Sequence, residues 1–151
     1  MKKLLVILIL SLFSYNISFA DSIKVVDGDT IVLNGEKIRF SGIDTPELKQ
    51  TCMDKDQEVL CGVLAKVLLI EKIGSKTPTC ISEGKDMYKR TLAECFVDDE
   101  SLSSFLVRSG YAFAYRKYSK KFVEDEEFAK KNKLGLWSMK FQFPWDFRKN
   151  Q

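Results

Sequence analysis

Two β-rich runs, Ile23 to Val26 and Ile31 to Leu33, lie either side of Asp27-Gly28-Asp29-Thr30, a turn sequence with glycine at its tight position. A third run, Ile38 to Ile43, sets Ile38 and Phe40 in alternation with Lys37, Arg39 and Ser41, the period of a strand with one face in a core. Asn34-Gly35 joins the second and third runs as a hairpin signal, so the three strands form an antiparallel meander. Arg39 then projects from the face opposite the core. Pro46 disfavours helix at Thr45 and fixes its own φ, which ends the strand near Asp44 and puts Glu47 just past a corner.

Farther along, residues 48–57 are polar and read as a loop. From Glu58 to Ile73 apolar residues recur at Leu60, Val63, Leu64, Val67, Leu68 and Ile70, a helical spacing that Gly74 ends. Gly62 within it reads as a point of close packing against the sheet. Thr77 to Ser82 and Tyr88 to Val97 supply a fourth and fifth strand around a Glu83-Gly84-Lys85-Asp86 turn, which places Arg90 on a strand. A short helix follows from Ser101 to Arg108, with Leu102, Phe105 and Leu106 as its stripe and Gly110 as its stop. Arg108 is read as a partner of last-turn carbonyls or of an acidic neighbour. Between Tyr111 and Tyr118 aromatic residues interleave with Arg116 and Lys117, a string that suits either base stacking with phosphate contact or core plus surface. The helix from about Lys121 to Asn132 carries acids early and lysines late, with Glu126 and Lys130 as an i,i+4 pair on a solvated face. Leu134-Gly135-Leu136-Trp137 then caps the chain with apolar bulk.

Composition narrows the picture. Lys2 and Lys3 precede an apolar run from Leu4 to Leu10, and Ser18-Phe19-Ala20 supplies small residues for cleavage, so residues 1–20 read as a signal peptide ahead of one domain spanning 21–151. Export to a periplasmic or secreted location follows. Without those twenty residues the chain holds 22 basic against 21 acidic residues, nearly neutral, so any phosphate binding must be local rather than a bulk electrostatic effect. Cys52, Cys61, Cys80 and Cys95 all lie in the exported part, where disulfides persist. Four cysteines allow three pairings. Cys80 and Cys95 flank the last hairpin nearly symmetrically, which favours a cross-strand bridge and leaves Cys52 and Cys61 to close a short loop. Histidine is absent, which excludes Ser-His-Asp and Cys-His chemistry and leaves carboxylates, Lys, Tyr, Arg or a metal for any hydrolytic work.

The Asp-Gly-Asp triplet is ordinary turn chemistry on its own. It gains meaning because antiparallel strands put Asp29, at the start of the second strand, at the same end as Asp44, at the close of the third. Two carboxylates brought together repel unless a cation joins them, and hard oxygen ligands without His or thiolate suit Ca²⁺ or Mg²⁺. Thr45 can add its backbone carbonyl.

In order, Asp27-Gly28-Asp29-Thr30, Arg39, Asp44-Thr45-Pro46-Glu47, Asp86-x-Tyr88-x-Arg90, Leu106-Val107-Arg108-x-Gly110 and Gly135-Leu136-Trp137-Ser138 resemble the staphylococcal nuclease (thermonuclease) family. That resemblance implies a five-stranded OB-fold β-barrel with helices, and a Ca²⁺-dependent phosphodiesterase cutting DNA and RNA to leave 3′-phosphate ends, here as a monomer. It implies Asp29 and Asp44 as metal carboxylates, Thr45 as carbonyl ligand, Arg39 and Arg90 as the phosphate clamp and Glu47 as the residue that orients or deprotonates water. Tyr88 matches the base-stacking tyrosine, with Tyr115 or Tyr118 as the second. The cysteine pairs are similar to those of exported bacterial members. Two departures stand out: Lys89 replaces the glycine common before the second clamp arginine, and Met87 stands where some members carry a nucleotide-contacting lysine. Lysine at 89 makes a positive-φ turn costly, with Arg90 the residue that would shift. The competing expectation is a non-catalytic OB module that binds single strands or a protein partner.

Overall fold

The computed structural model describes residues 21–151, so the expected signal peptide lies outside the described residues. The meander forms as read: β1 (Ile23–Val25) pairs antiparallel with β2 (Thr30–Leu33), and β2 with β3 (Glu36–Phe40), with Thr30 opposite Arg39. The third strand ends earlier than the alternation suggests. Gly42 takes φ +71°, a conformation that breaks an L-residue strand, and β4 (Ile43–Asp44) leaves the sheet to pair with β10 (Phe113–Ala114). Asp44 therefore sits on a separate ladder, facing the meander across a sharp bend.

Residues 48–57, read as a loop, instead hold most of a hairpin of β5 (Thr51–Asp54) and β6 (Gln57–Leu60), closed by the Cys52–Cys61 disulfide. Helix α1 consequently starts at Cys61 and runs to Ile73. Its buried face is Cys61, Ala65, Leu69 and Ile73, one residue per turn, while Leu60, Val63, Val67 and Ile70 of the expected stripe are exposed. Cysteine and alanine count little in a hydrophobicity pattern, which is why the wrong face stood out.

The second hairpin, β7 (Thr79–Lys85) with β8 (Thr91–Val97), sets Cys80 opposite Cys95, and these two form the other disulfide. Its turn is Asp86 to Arg90, three residues later than the glycine suggested, because β7 continues past Gly84 through a bulge. Strand β8 also pairs with β3 in parallel, Arg39 beside Leu92, a contact that no local sequence signal announces. With β9 (Glu100–Ser101) on β8, the result is a mixed six-stranded sheet in the order β1-β2-β3-β8-β7, covered by helices in an α+β arrangement.

Ser101 caps α2 (Leu102–Arg108) by accepting a hydrogen bond from the Ser104 amide, and α3 follows at Val123–Lys131. Glu126 leaves the solvated face expected for it: it is buried, accepts from the Ala114 amide and pairs with Arg116. Arg116 is thereby engaged within the protein, and Arg108 meets Asp125 as expected. Ile31, Ile38, Phe40, Leu69, Leu102 and Leu106 fill the main core. A second apolar cluster wraps the Cys52–Cys61 bridge, where Phe113 meets Trp137, Phe141, Phe143 and Trp145. The chain thus does not end at Trp137 in structural terms. A 3₁₀ turn (Gly135–Ser138) leads to α4 (Pro144–Lys149), and Met53 and Lys140 exchange backbone hydrogen bonds that tie this last segment to β5.

Candidate active site

Arg39 stands at the centre. Rather than projecting freely, its side chain is only 19% exposed and its guanidinium bridges two carboxylates, with Nη1 donating to Asp29 at 2.6 Å and Nη2 to Asp44 at 3.0 Å. The geometry follows from the meander: Arg39 is opposite Thr30, so its side chain reaches the strand entry at Asp29, and the bend at Gly42 swings Asp44 to its other side. Asp29 also accepts from the Thr45 amide and the Thr30 hydroxyl. Burial pushes the Asp29 carboxyl up to about 6, a rise that Asp27 reinforces and Arg39 opposes. Burial raises Asp44 as well, against the hydrogen bonds and charge of Arg148 and the charge of Arg39.

The corner that carries Thr45, Pro46 and Glu47 is braced from two sides. A Cβ on Gly62 would come within 2.1 Å of the Glu47 carbonyl oxygen, so the glycine in α1 is where the helix meets this corner rather than the sheet. Gln50, fully buried, donates from Nε2 to the Gln142 carbonyl and accepts from the Glu47 amide, and its own carbonyl accepts from the Cys61 amide. Glu47 itself keeps 44% of its side chain exposed.

On the opposite wall, Lys89 does adopt positive φ, at 64°. Arg90 is nonetheless held. The Asp86 carboxylate accepts from the amides of Tyr88 and Arg90, each at 2.9 Å, and from Arg90 Nε at 2.7 Å. These bonds hold the Asp86 carboxyl below its ordinary value despite some desolvation. They fix the Arg90 guanidinium by one edge and leave its Nη groups without a hydrogen-bond partner among the described residues.

Asp29, Arg39, Thr45, Glu47, Tyr88, Arg90, Tyr115 and Tyr118 all line one cavity of about 830 Å³, on which Asp27 and Arg148 also open. Tyr88 and Tyr118 are the exposed rim, at 74% and 70%. Tyr115 lies deeper, stacked parallel on Trp145 and edge-on to Tyr118. Asp44 alone of the expected residues does not reach the cavity surface: it is 0% exposed, beneath Arg39 and Arg148.

Arg148 is the residue that sequence reasoning missed. It reaches the site from α4, donating from Nη2 to Asp44 at 2.6 Å and from Nη1 to both Asp44, at 3.2 Å, and Glu47, at 2.8 Å. Those carboxylates raise its pKa further although burial acts against its charge. The available signal was the alternation Phe141, Phe143, Trp145, Phe147, which marks a segment that packs and so delivers its next residue to a fixed place.

Three carboxylates (Asp29, Asp44, Glu47) are thus in direct contact with two arginines, a formal deficit of one positive charge, and Asp27 adds a further negative charge beside Asp29. Among the described residues no three acidic side chains are grouped to hold a metal ion by themselves, but the buried pair Asp29 and Asp44 with a neighbouring backbone carbonyl is the kind of hard oxygen set that a divalent ion such as Ca²⁺ takes.

Among known proteins, this chain is 32% identical over 142 residues to an Escherichia coli protein named uncharacterized endonuclease, covering 87% of each. A Haemophilus influenzae protein of the same name is 28% identical over 142 residues, covering 89% of this chain and 75% of that one. The succinoglycan biosynthesis protein ExoI of Rhizobium meliloti is 31% identical over 118 residues, covering 76% of this chain, which spans only 62% of that protein's length. The family model described as staphylococcal nuclease homologue matches residues 37–139, and with it the chain belongs to the staphylococcal nuclease family.

Proposed function

We propose that this chain is an exported, Ca²⁺-dependent nuclease that hydrolyses phosphodiester bonds of DNA and RNA and leaves 3′-phosphate ends, on a sheet that acts as a five-stranded OB-type platform. The observation that carries this reading is a single cavity in which clustered carboxylates, three arginines and exposed tyrosines converge. A bare binding surface has no use for buried carboxylates that cost several kcal/mol to desolvate. Export draws support from the two disulfides. Among the described residues no helix is long and apolar enough to cross a membrane.

Asp29, Asp44 and the Thr45 carbonyl would hold the calcium ion, which when bound supplies positive charge beside the phosphate. Glu47, the most accessible carboxylate of the corner, accepts the proton of the attacking water. Water oxygen bonds to phosphorus, the bond to the 5′-oxygen breaks, and a solvent proton completes the 5′-hydroxyl. Arg39 and Arg90 take up the extra negative charge of the five-coordinate phosphorus, the role for which a fork of N–H donors is suited. Tyr88 and either Tyr115 or Tyr118 stack against bases; Tyr118 is the freer of the latter two, since Tyr115 already lies against Trp145.

The test is cleavage of single-stranded DNA and of RNA by purified protein with Ca²⁺, with Mg²⁺ and with a chelator. Products ending in 3′-phosphate with Ca²⁺ and none with chelator are expected. Equal cleavage with chelator would end the metal assignment, and strand binding by gel shift without cleavage would favour the binding module instead.

A further inference from the structure

Arg148 raises a question that the proposed chemistry does not answer. Asp44 is to hold a cation, yet it is fully buried and its two oxygens already accept three N–H bonds, one from Arg39 and two from Arg148. A carboxylate offers roughly four lone-pair positions, so about one remains. Of the two arginines, Arg39 sits within a strand of the central sheet. Arg148 is on the six-residue α4, outside the sheet, its side chain 37% exposed and lining the cavity. Its side chain is therefore the group that stands between Asp44 and the cavity. The same guanidinium also holds Glu47, so one group engages both carboxylates of the corner.

We infer that Arg148 is an internal stand-in for the calcium ion: it covers Asp44 and Glu47 in the cation-free protein, and cation binding requires it to let go of Asp44. Arg39 already takes one lone pair of Asp44, so a divalent ion must compete with Arg148 for those that remain, and the two cations repel each other. The benefit is that the cation-free site stays paired. Release from Asp44 and Glu47 would at once open the cation position, return Glu47 to water, and free the donors of a third arginine at the cavity wall. This inference rests on the cation reading above.

Arg148→Met keeps the volume and removes the fork. Calcium titration by calorimetry should show it binding about tenfold tighter or more than the parent, since a site covered in over nine-tenths of molecules loses at least that factor in apparent affinity. Its calcium-induced rise in Tm should also exceed the parent's, whereas a merely structural role would lower Tm equally with and without calcium and leave affinity alone. Equal or weaker calcium binding in the variant overturns the stand-in while sparing the cation reading; no binding in either protein overturns both. Should the variant fail to fold, guanidinium NMR of the parent decides. Hindered, separately resolved Arg148 Nη signals in chelator should collapse on calcium saturation, and their persistence overturns the inference.

Discussion

Arg39 and Glu47 lie at nearly adjacent points of one cavity but differ in what surrounds them. Arg39 is buried between Asp29 and Asp44, so its loss leaves carboxylates in a desolvated place with reduced compensation. Glu47 is half exposed, and its ion pair with Arg148 belongs to the class that contributes at most about 1 kcal/mol. Arg39→Met should therefore lose activity and about 3 kcal/mol of stability at neutral pH, the scale for breaking a buried pair. Glu47→Gln should lose about 100-fold to 10,000-fold in rate, the range of a general base, with a urea midpoint close to the parent's. Parallel urea melts and initial rates separate the two cases; an equally destabilised Glu47→Gln would make that residue structural. Which residues are charged and near the corner was legible from sequence. How deeply each is buried was not, because burial of Arg39 depends on the Gly42 bend, which brings Asp44 and Thr45 back against Asp29 and so closes carboxylates on both sides of the guanidinium.

Short elements position the site, and the Asp86–Arg90 turn is the clearest case. Its sequence marks it as the departure from the family pattern, with lysine where glycine is common, and the backbone at Lys89 takes the positive-φ conformation with Arg90 held in place. Asp86 is the reason, since it ties the Tyr88 and Arg90 amides and the Arg90 side chain to one carboxylate. A non-glycine residue at this φ costs about 1 kcal/mol. Lys89→Gly should accordingly stabilise the protein by about that amount in thermal melts, with cleavage rates little changed. Destabilisation would mean that the lysine side chain has a partner worth more than the strain. The turn was misplaced by three residues in the sequence reading because Gly84 is a strong local signal, while the bulge that carries β7 past it answers to pairing with β8. The hairpin of β5 and β6 was missed for the opposite reason: it is polar and short, and its disulfide supplies the closure that an apolar face otherwise would.

Across the whole molecule, two apolar clusters share the work, and each disulfide belongs to one of them. Cys80–Cys95 joins neighbouring strands of the main sheet, while Cys52–Cys61 is buried in the aromatic cluster under the Glu47 corner. The meander, the first three helices and the two bridges were legible from sequence, being local or nearly so. The parallel β3–β8 pairing and the return of the C-terminal segment were not, since each depends on contacts between segments far apart in the chain. That return gives the two bridges different consequences. Closing a loop of ten to fifteen residues is worth about 3 kcal/mol in the unfolded-chain model, so replacing either pair by serine should lower stability by a similar amount. Only the Cys52–Cys61 pair lies on the path Cys61–Gln50–Glu47 that braces the corner. The Cys52/Cys61 double serine variant should therefore weaken calcium binding several-fold at a temperature where it remains folded, and the Cys80/Cys95 variant should not. Equal calcium affinity in the two variants would show that the second cluster holds the corner without its bridge, and that the bridge stabilises only the fold.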